Sequence, residues 1–181
     1  MPLKIETFMF KVSARSDFHM AHRLMYHNGA CQHLHGHTYN VTVEITGLAS
    51  KNDMVIDFKD LKNELRALTG KLEHTTLLNG EDKPFIDALS LVSHPNRLLV
   101  INRLISSLKR VQGVDPTTEV LSMWFAQRMY VQLTDLGLKV SGVSAIVSES
   151  PTTSVQFSLC APLNGKDERI VIEGMLSCRA R

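Results

Sequence analysis

Long apolar runs are missing: no window of the 181-residue chain approaches the roughly 18 apolar residues that a membrane-spanning helix needs. The opening MPLKIETFMFKV breaks its apolar residues with charges and lacks the uninterrupted core of a secretory leader. Both absences predict a cytoplasmic protein with no membrane partner. Cysteine is scarce. Cys31, Cys160 and Cys178 are an odd number at wide spacings, which argues against a disulfide scaffold and suits a reducing compartment. A surplus of one charge sign is also missing. The formal net charge is +2 and the Lys and Arg residues are scattered, so no footprint for nucleic acid is present, whereas an anionic small molecule fits. Repeats and low-complexity segments are absent too. What remains is 44% hydrophobic and 21% charged, the composition of a globular domain with a substantial core.

Periodicity divides the chain into elements. Residues 4–22 read as a strand with Phe8, Phe10 and Val12 on one parity and an irregularity near 14–17. A loop follows, and from His35 strict alternation returns: His35, His37, Tyr39, Val41, Val43 and Ile45 share one face. Asp57 can cap a helix carrying Phe58, Leu61, Leu65, Leu68 and Leu72. Residues 81–113 read as a helical insert, its better helix starting near Ser93-His94-Pro95 and using Leu98, Ile101, Leu104, Ile105 and Leu108. Asp115-Pro116-Thr117-Thr118-Glu119 signals another helix start, ahead of Leu121, Trp124, Phe125, Met129 and Leu133. Two strands, 140–149 and 153–159, then flank the Ser150-Pro151-Thr152 turn. The order is β-β-α-(insert)-α-β-β, an α+β domain over residues 1–160 with a tail at 161–181.

Six of the eight histidines fall between His19 and His37. Two imidazoles at i and i+2 on one strand face can share a zinc ion, and His35-Gly36-His37 meets that condition. Gly36 leaves the other face open to a close backbone neighbour. A third ligand must come from another element, and His22 at the end of the preceding strand is the best placed. His19 has the wrong parity, His27 sits in a loop, and His33 has no further support. Cys31 can be a fourth ligand that closes the site, or a base beside an open metal, since a cation and imidazoles lower a thiol pKa. Spacing leaves both open.

Six ordered blocks carry a family resemblance: FHMAHRL at 18–24, CQHLHGHTYNVTVEITG at 31–47, DMVIDFKDLK at 53–62, LEH at 72–74, PTTE at 116–119 and SES at 148–150. In this order they resemble the 6-pyruvoyl tetrahydropterin synthases and their bacterial relative, 6-carboxytetrahydropterin synthase, over about residues 5–80 and 114–158. The resemblance implies a tunnelling fold (T-fold): a four-stranded antiparallel sheet with helices on one face, assembled as homohexamers with pterin sites between subunits. It implies His22, His35 and His37 as zinc ligands, Cys31 as catalytic base, and Glu73 and His74 as the proton relay. Glu149 would anchor the pterin, with Thr117, Thr118 and Glu119 completing the pocket.

Three departures from the family pattern stand out. The relay carboxylate is Glu73 where aspartate is usual, the 81–113 segment is longer than in compact bacterial enzymes, and the tail is additional. Arg23 and nearby Lys residues are candidates for a triphosphate. The short Cys-x-x-x-His-Gly-His spacing favours the carboxy enzymes. The implied activity is zinc-dependent conversion of 7,8-dihydroneopterin triphosphate to 6-carboxy-5,6,7,8-tetrahydropterin, releasing acetaldehyde and triphosphate, on the route to queuosine. The alternatives are 6-pyruvoyl tetrahydropterin formation by triphosphate elimination, and a noncatalytic T-fold protein whose structural zinc is held by one cysteine and three histidines.

Overall fold

The alternation read from the sequence becomes a long hairpin in the computed structural model, which describes residues 9–49, 52–104, 113–160 and 171–175. Strands β1 (Met9–His22) and β2 (His35–Leu48) pair antiparallel throughout, from Met9 opposite Leu48 to His22 opposite His35. Ala14, Phe18, Met20 and His22 of β1 are buried together with Tyr39, Val41, Val43 and Ile45 of β2. A strand repeats every two residues, so the register assigns each set to one face, and a slip by one would expose them all. No irregularity interrupts β1 near residues 14–17. Phe8 lies outside the described residues, and Phe10, expected on the core parity, is exposed.

Helix α1 (Phe58–Leu72) begins where expected: the Asp57 carboxylate accepts the Lys59 amide at 2.6 Å, satisfying an otherwise unpaired N-terminal donor. Leu61, Leu65, Leu68 and Leu72 are buried along one stripe, whereas Phe58 is exposed. Helix α4 (Thr118–Asp135) is capped by Thr117, whose hydroxyl accepts the Val120 amide at 3.4 Å. Its Leu121, Trp124, Phe125, Met129 and Leu133 join the same core. Phe18 stacks on Tyr39 with centroids 5.0 Å apart and meets Phe125 at 5.6 Å. Tyr39 in turn meets the rings of His22 and His37 at 5.8 and 5.5 Å. The histidines are therefore built on the end of the aromatic core.

The sheet is wider than four strands. The antiparallel set β1, β2, β5 (Val140–Ser150) and β6 (Thr153–Cys160) is present, but with β3 (Thr75–Leu78), β4 (Leu98–Val100) and β7 (Val171–Met175) the order is β4-β3-β1-β2-β5-β6-β7. Strands β3 and β4 add in parallel beside β1, so the sheet is mixed. β7, expected within the tail, pairs antiparallel with β6. The insert is only partly helical. It holds α2 (Lys83–Ser90), a single turn at Pro95–Arg97, β4 and the short α3 (Ile101–Leu104). The helix expected from Ser93 gives way because Leu98–Val100 satisfy the open backbone of β3, and pairing of that edge outweighs helical periodicity. Residues 105–112, which carry Ile105 and Leu108 of that expectation, lie outside the described residues. Among the described residues no helix is long and apolar enough to cross a membrane.

Candidate active site

Register brings three histidines together. His22 sits directly opposite His35, and Met20 opposite His37, which puts His37 diagonally across from His22 on the same face. Ring centroids are 4.7 Å apart for His22–His35, 5.3 Å for His22–His37 and 4.9 Å for His35–His37. One nitrogen from each lies within 4.8 Å of the other two, an arrangement able to hold a metal ion. Two of the rings are oriented for it. His22 Nδ1 is 2.9 Å from the Pro116 carbonyl and His35 Nδ1 is 2.8 Å from the His33 carbonyl. A carbonyl oxygen only accepts, so each Nδ1 bears the proton and each Nε2 carries the lone pair that a cation can take. Three convergent imidazoles are a donor set that suits zinc. Cys31, half-buried, stands outside that group of nitrogens.

The His22 pKa is held below 6.5. Burial is the largest cause, opposed by the Pro116 carbonyl and Glu149 and reinforced by His35 and His37. Unfolding exposes an ordinary imidazole, which takes up a proton that the folded site refuses. Metal-stripped protein should therefore be most stable above pH 6.5 and lose stability as pH falls below it. Thermal melts from about pH 8 down to about pH 5 check the direction. The Tyr39 hydroxyl lies 3.1 Å from His22 Nε2 and 3.3 Å from Nδ1. Burial, with the charges of Glu149 and Cys31, pushes its phenol pKa well above the usual value.

Beside the histidines opens a cavity of about 410 Å³ lined by His22, Cys31, Thr117, Thr118, Glu119 and Glu149, all singled out from the sequence, together with Leu24, His27 and residues 153–155. The Thr118 hydroxyl donates to Glu149 Oε2 at 2.8 Å, which fixes the carboxylate and leaves Oε1 free of that bond. His27, read as background, is on this wall: its Nδ1 accepts the Gly29 amide at 2.9 Å, folding the ring back over the loop. A methyl on Gly29 would meet that ring at 2.8 Å, so the His-x-Gly spacing was the available signal. Residues 153–155 arrive through the tight β5–β6 turn, which Glu149 immediately precedes.

Glu73 and His74 are elsewhere in the chain. They sit where α1 hands over to β3, near His19, which points away from the core. Glu73 Oε2 accepts the His19 amide at 2.9 Å, and Oε1 lies 3.2 Å from His19 Nδ1 and 2.6 Å from His74 Nδ1. The His19 amide is the main cause that lowers the Glu73 pKa; burial opposes it, and the His19 ring and the charges of both histidines add to the lowering. His74 lines a second cavity with His19, Gly36, His37 and Thr38 that shares no residue with the first. A methyl at Gly36 would meet the Met20 carbonyl at 3.4 Å, an ordinary contact, so none of the described residues requires glycine there. Arg23 is not offered to the first cavity: its Nε lies 3.3 Å from Asp82 Oδ2 and its guanidinium 4.3 Å from the Phe85 ring centroid.

Residues 11–159 match the 6-pyruvoyl tetrahydropterin synthase family. The chain belongs to that family. Within this pterin synthase family, the 6-carboxy-5,6,7,8-tetrahydropterin synthase of Haemophilus influenzae is 54% identical over 59 residues, covering 30% of this chain and 42% of that protein. This chain thus aligns with less than half the length of that relative. A protein of Halobacterium salinarum named "Probable 6-carboxy-5,6,7,8-tetrahydropterin synthase" is 30% identical over 130 residues, 72% of this chain and 74% of the other. In structure, the 6-pyruvoyltetrahydropterin synthase of Plasmodium vivax is similar, with a TM-score of 0.65 and 20% identity over 85% of this chain and 99% of that one. That of Plasmodium falciparum gives 0.60 and 21%, over 84% and 99%. The T-fold of these synthases is therefore the fold of this chain, with its sheet widened by β3, β4 and β7.

Proposed function

We propose that this chain is a zinc-dependent lyase converting 7,8-dihydroneopterin triphosphate to 6-carboxy-5,6,7,8-tetrahydropterin, with release of acetaldehyde and triphosphate, in the cytoplasmic route to queuosine-type deazapurines. The observation that carries the reading is a set of three convergent imidazoles, one of which, His22, lines a cavity that also presents a thiol and a tethered carboxylate. Relatives named for the carboxy product support it.

His22, His35 and His37 would hold the zinc ion. Zinc bound there would supply Lewis acidity toward adjacent side-chain hydroxyls of the substrate. Cys31, in the cavity but outside the nitrogen trio, is the base that takes a proton from the acidified carbon. Glu149 accepts paired N–H donors from the pterin edge and orients it, with Thr118 holding the carboxylate in place. Thr117 and Glu119 complete the wall. His74 returns the proton, and Glu73 fixes the orientation of its ring through the Nδ1 contact. The longer Glu73 side chain reaches both His19 and His74, so the extra methylene relative to aspartate is spent on a second histidine.

Within one chain the Cys31 cavity and the His74 cavity are separate. The complete site then combines Cys31 of one copy with Glu73 and His74 of another, in a homohexamer. Thr118→Val should raise KM for the pterin about tenfold and leave kcat nearly unchanged, because a hydrogen bond to a charged acceptor is removed from a binding group alone. Steady-state kinetics separate the two constants. The reaction itself is tested by incubating zinc-loaded protein with dihydroneopterin triphosphate and weighing the product. The carboxy product with acetaldehyde is expected. A pyruvoyl product would move the chain to the eliminating branch, which the family name and the Plasmodium structures support.

A further inference from the structure

The loop that carries Cys31 has no regular secondary structure beyond one turn at Ala30–Gln32, yet it must hold a thiol in a fixed place beside His22. A single carboxylate accounts for this. Asp115 Oδ1 accepts the Met25 amide at 2.9 Å and Oδ2 accepts the Tyr26 amide at 2.9 Å. The adjacent Leu24 amide donates to the carbonyl of Cys31 itself at 2.9 Å. The same Asp115 Oδ1 also accepts the Asn79 side-chain amide at 2.9 Å. Asn79 is fully buried and its Oδ1 accepts the Glu81 amide at 3.0 Å, while the Tyr26 hydroxyl donates to the Glu81 carboxylate. The next residue along, Pro116, accepts His22 Nδ1. Asp115 and Pro116 thus grip the Cys31 loop and the His22 ring from one short stretch of backbone, and Asn79 and Glu81, where β3 leads into the insert, brace it from behind.

We propose that Asp115 is a positioning residue, whose carboxylate sets the place of the Cys31 loop relative to His22, with the start of the insert as its support. The proposal rests on the functional reading above for the importance of Cys31, but the bonds it invokes exist whatever the reaction. An amide cannot replace this carboxylate. Asparagine offers one acceptor and one donor, and in either orientation its NH2 faces donors: the Tyr26 amide in one, the Met25 amide and Asn79 in the other. The loop loses at least one bond to a charged acceptor while its neighbours in β1 and β2 keep theirs.

The test compares zinc-loaded wild type and Asp115→Asn by amide hydrogen exchange and steady-state kinetics. The amides of Leu24, Met25 and Tyr26 should exchange roughly tenfold or more faster in the variant, while those of Val41 and Val43 in β2 stay as in wild type and zinc is retained. kcat should fall and KM for the pterin should change little, since Glu149 is untouched. Unchanged exchange in the loop, or equal acceleration in β2, overturns the proposal. If wild type fails to turn over the pterin, the enzyme reading fails while the exchange result still decides the role of Asp115. If the variant does not fold, wild type alone decides: its Met25 and Tyr26 amides must be strongly protected, and exchange at unfolded rates overturns the proposal.

Discussion

Cys31→Ala is expected to keep zinc, assembly and melting temperature at wild-type values while turnover falls by about 10²- to 10⁴-fold, the usual share of a positioned acid or base. The expectation follows from where the thiol is. His22, His35 and His37 form a group of three nitrogens without it, and two of the three are already oriented by backbone carbonyls that do not depend on it. Cys31 is half-buried and makes its tie to the fold through its carbonyl, which accepts the Leu24 amide, and alanine keeps that carbonyl. Zinc content by elemental analysis, together with a thermal melt and a rate, gives three readouts on one variant. Loss of zinc and stability would instead make the cysteine a fourth ligand and the site a structural staple, since structural zinc sites are closed and contribute folding energy outright.

Two separately inactive variants should restore activity when they share an oligomer. The pair is Cys31→Ala and His74→Gly. His74 has φ of +55°, in the left-handed region where a side chain costs about 1 kcal/mol and glycine costs little. Removing the imidazole there should therefore preserve or slightly raise the melting temperature while turnover collapses, which separates loss of function from loss of fold. Cys31 and His74 line different cavities in one chain, and a site that joins them from two copies lets each variant supply what the other lacks. Mixed oligomers would then contain some sites with an intact thiol from one subunit and an intact histidine from the other. Co-expressed variants with no more activity than either alone would mean that the sites do not join these residues across copies.

Alternation carried most of the fold. It placed β1, β2, β5 and β6 within a few residues, because period-2 patterning records which face of a strand is buried, most fully in β2 and β5. It could not show β3, β4 or β7. Thr75–Leu78 is four residues long and largely buried on both sides, and Leu98–Val100 is three, too short for a period to register. Parallel strands buried on both faces also read as plain apolar runs. The imidazole trio was legible because i, i+2 spacing on a strand is itself geometry, and the register then set His22 opposite His35. Cys31 stood out as a thiol among histidines, its role as base and the roles of Glu149 and the Thr117–Glu119 block were reached by resemblance, and the fold gathers all of them on one cavity. Asp115 was visible in the sequence only as part of a helix-start signal. Its partners Met25, Tyr26 and Asn79 are far away along the chain, and no local pattern encodes a carboxylate that joins three segments. The same holds for His19 and Glu73, 54 positions apart.

Zinc titration into metal-stripped protein, followed by turnover of dihydroneopterin triphosphate, asks most directly whether the three histidines are a reaction centre. Turnover should be absent without metal, rise in proportion to bound zinc, and reach its plateau when each His22–His35–His37 trio is filled. Full turnover by the stripped protein, or no turnover when every trio holds zinc, would contradict it.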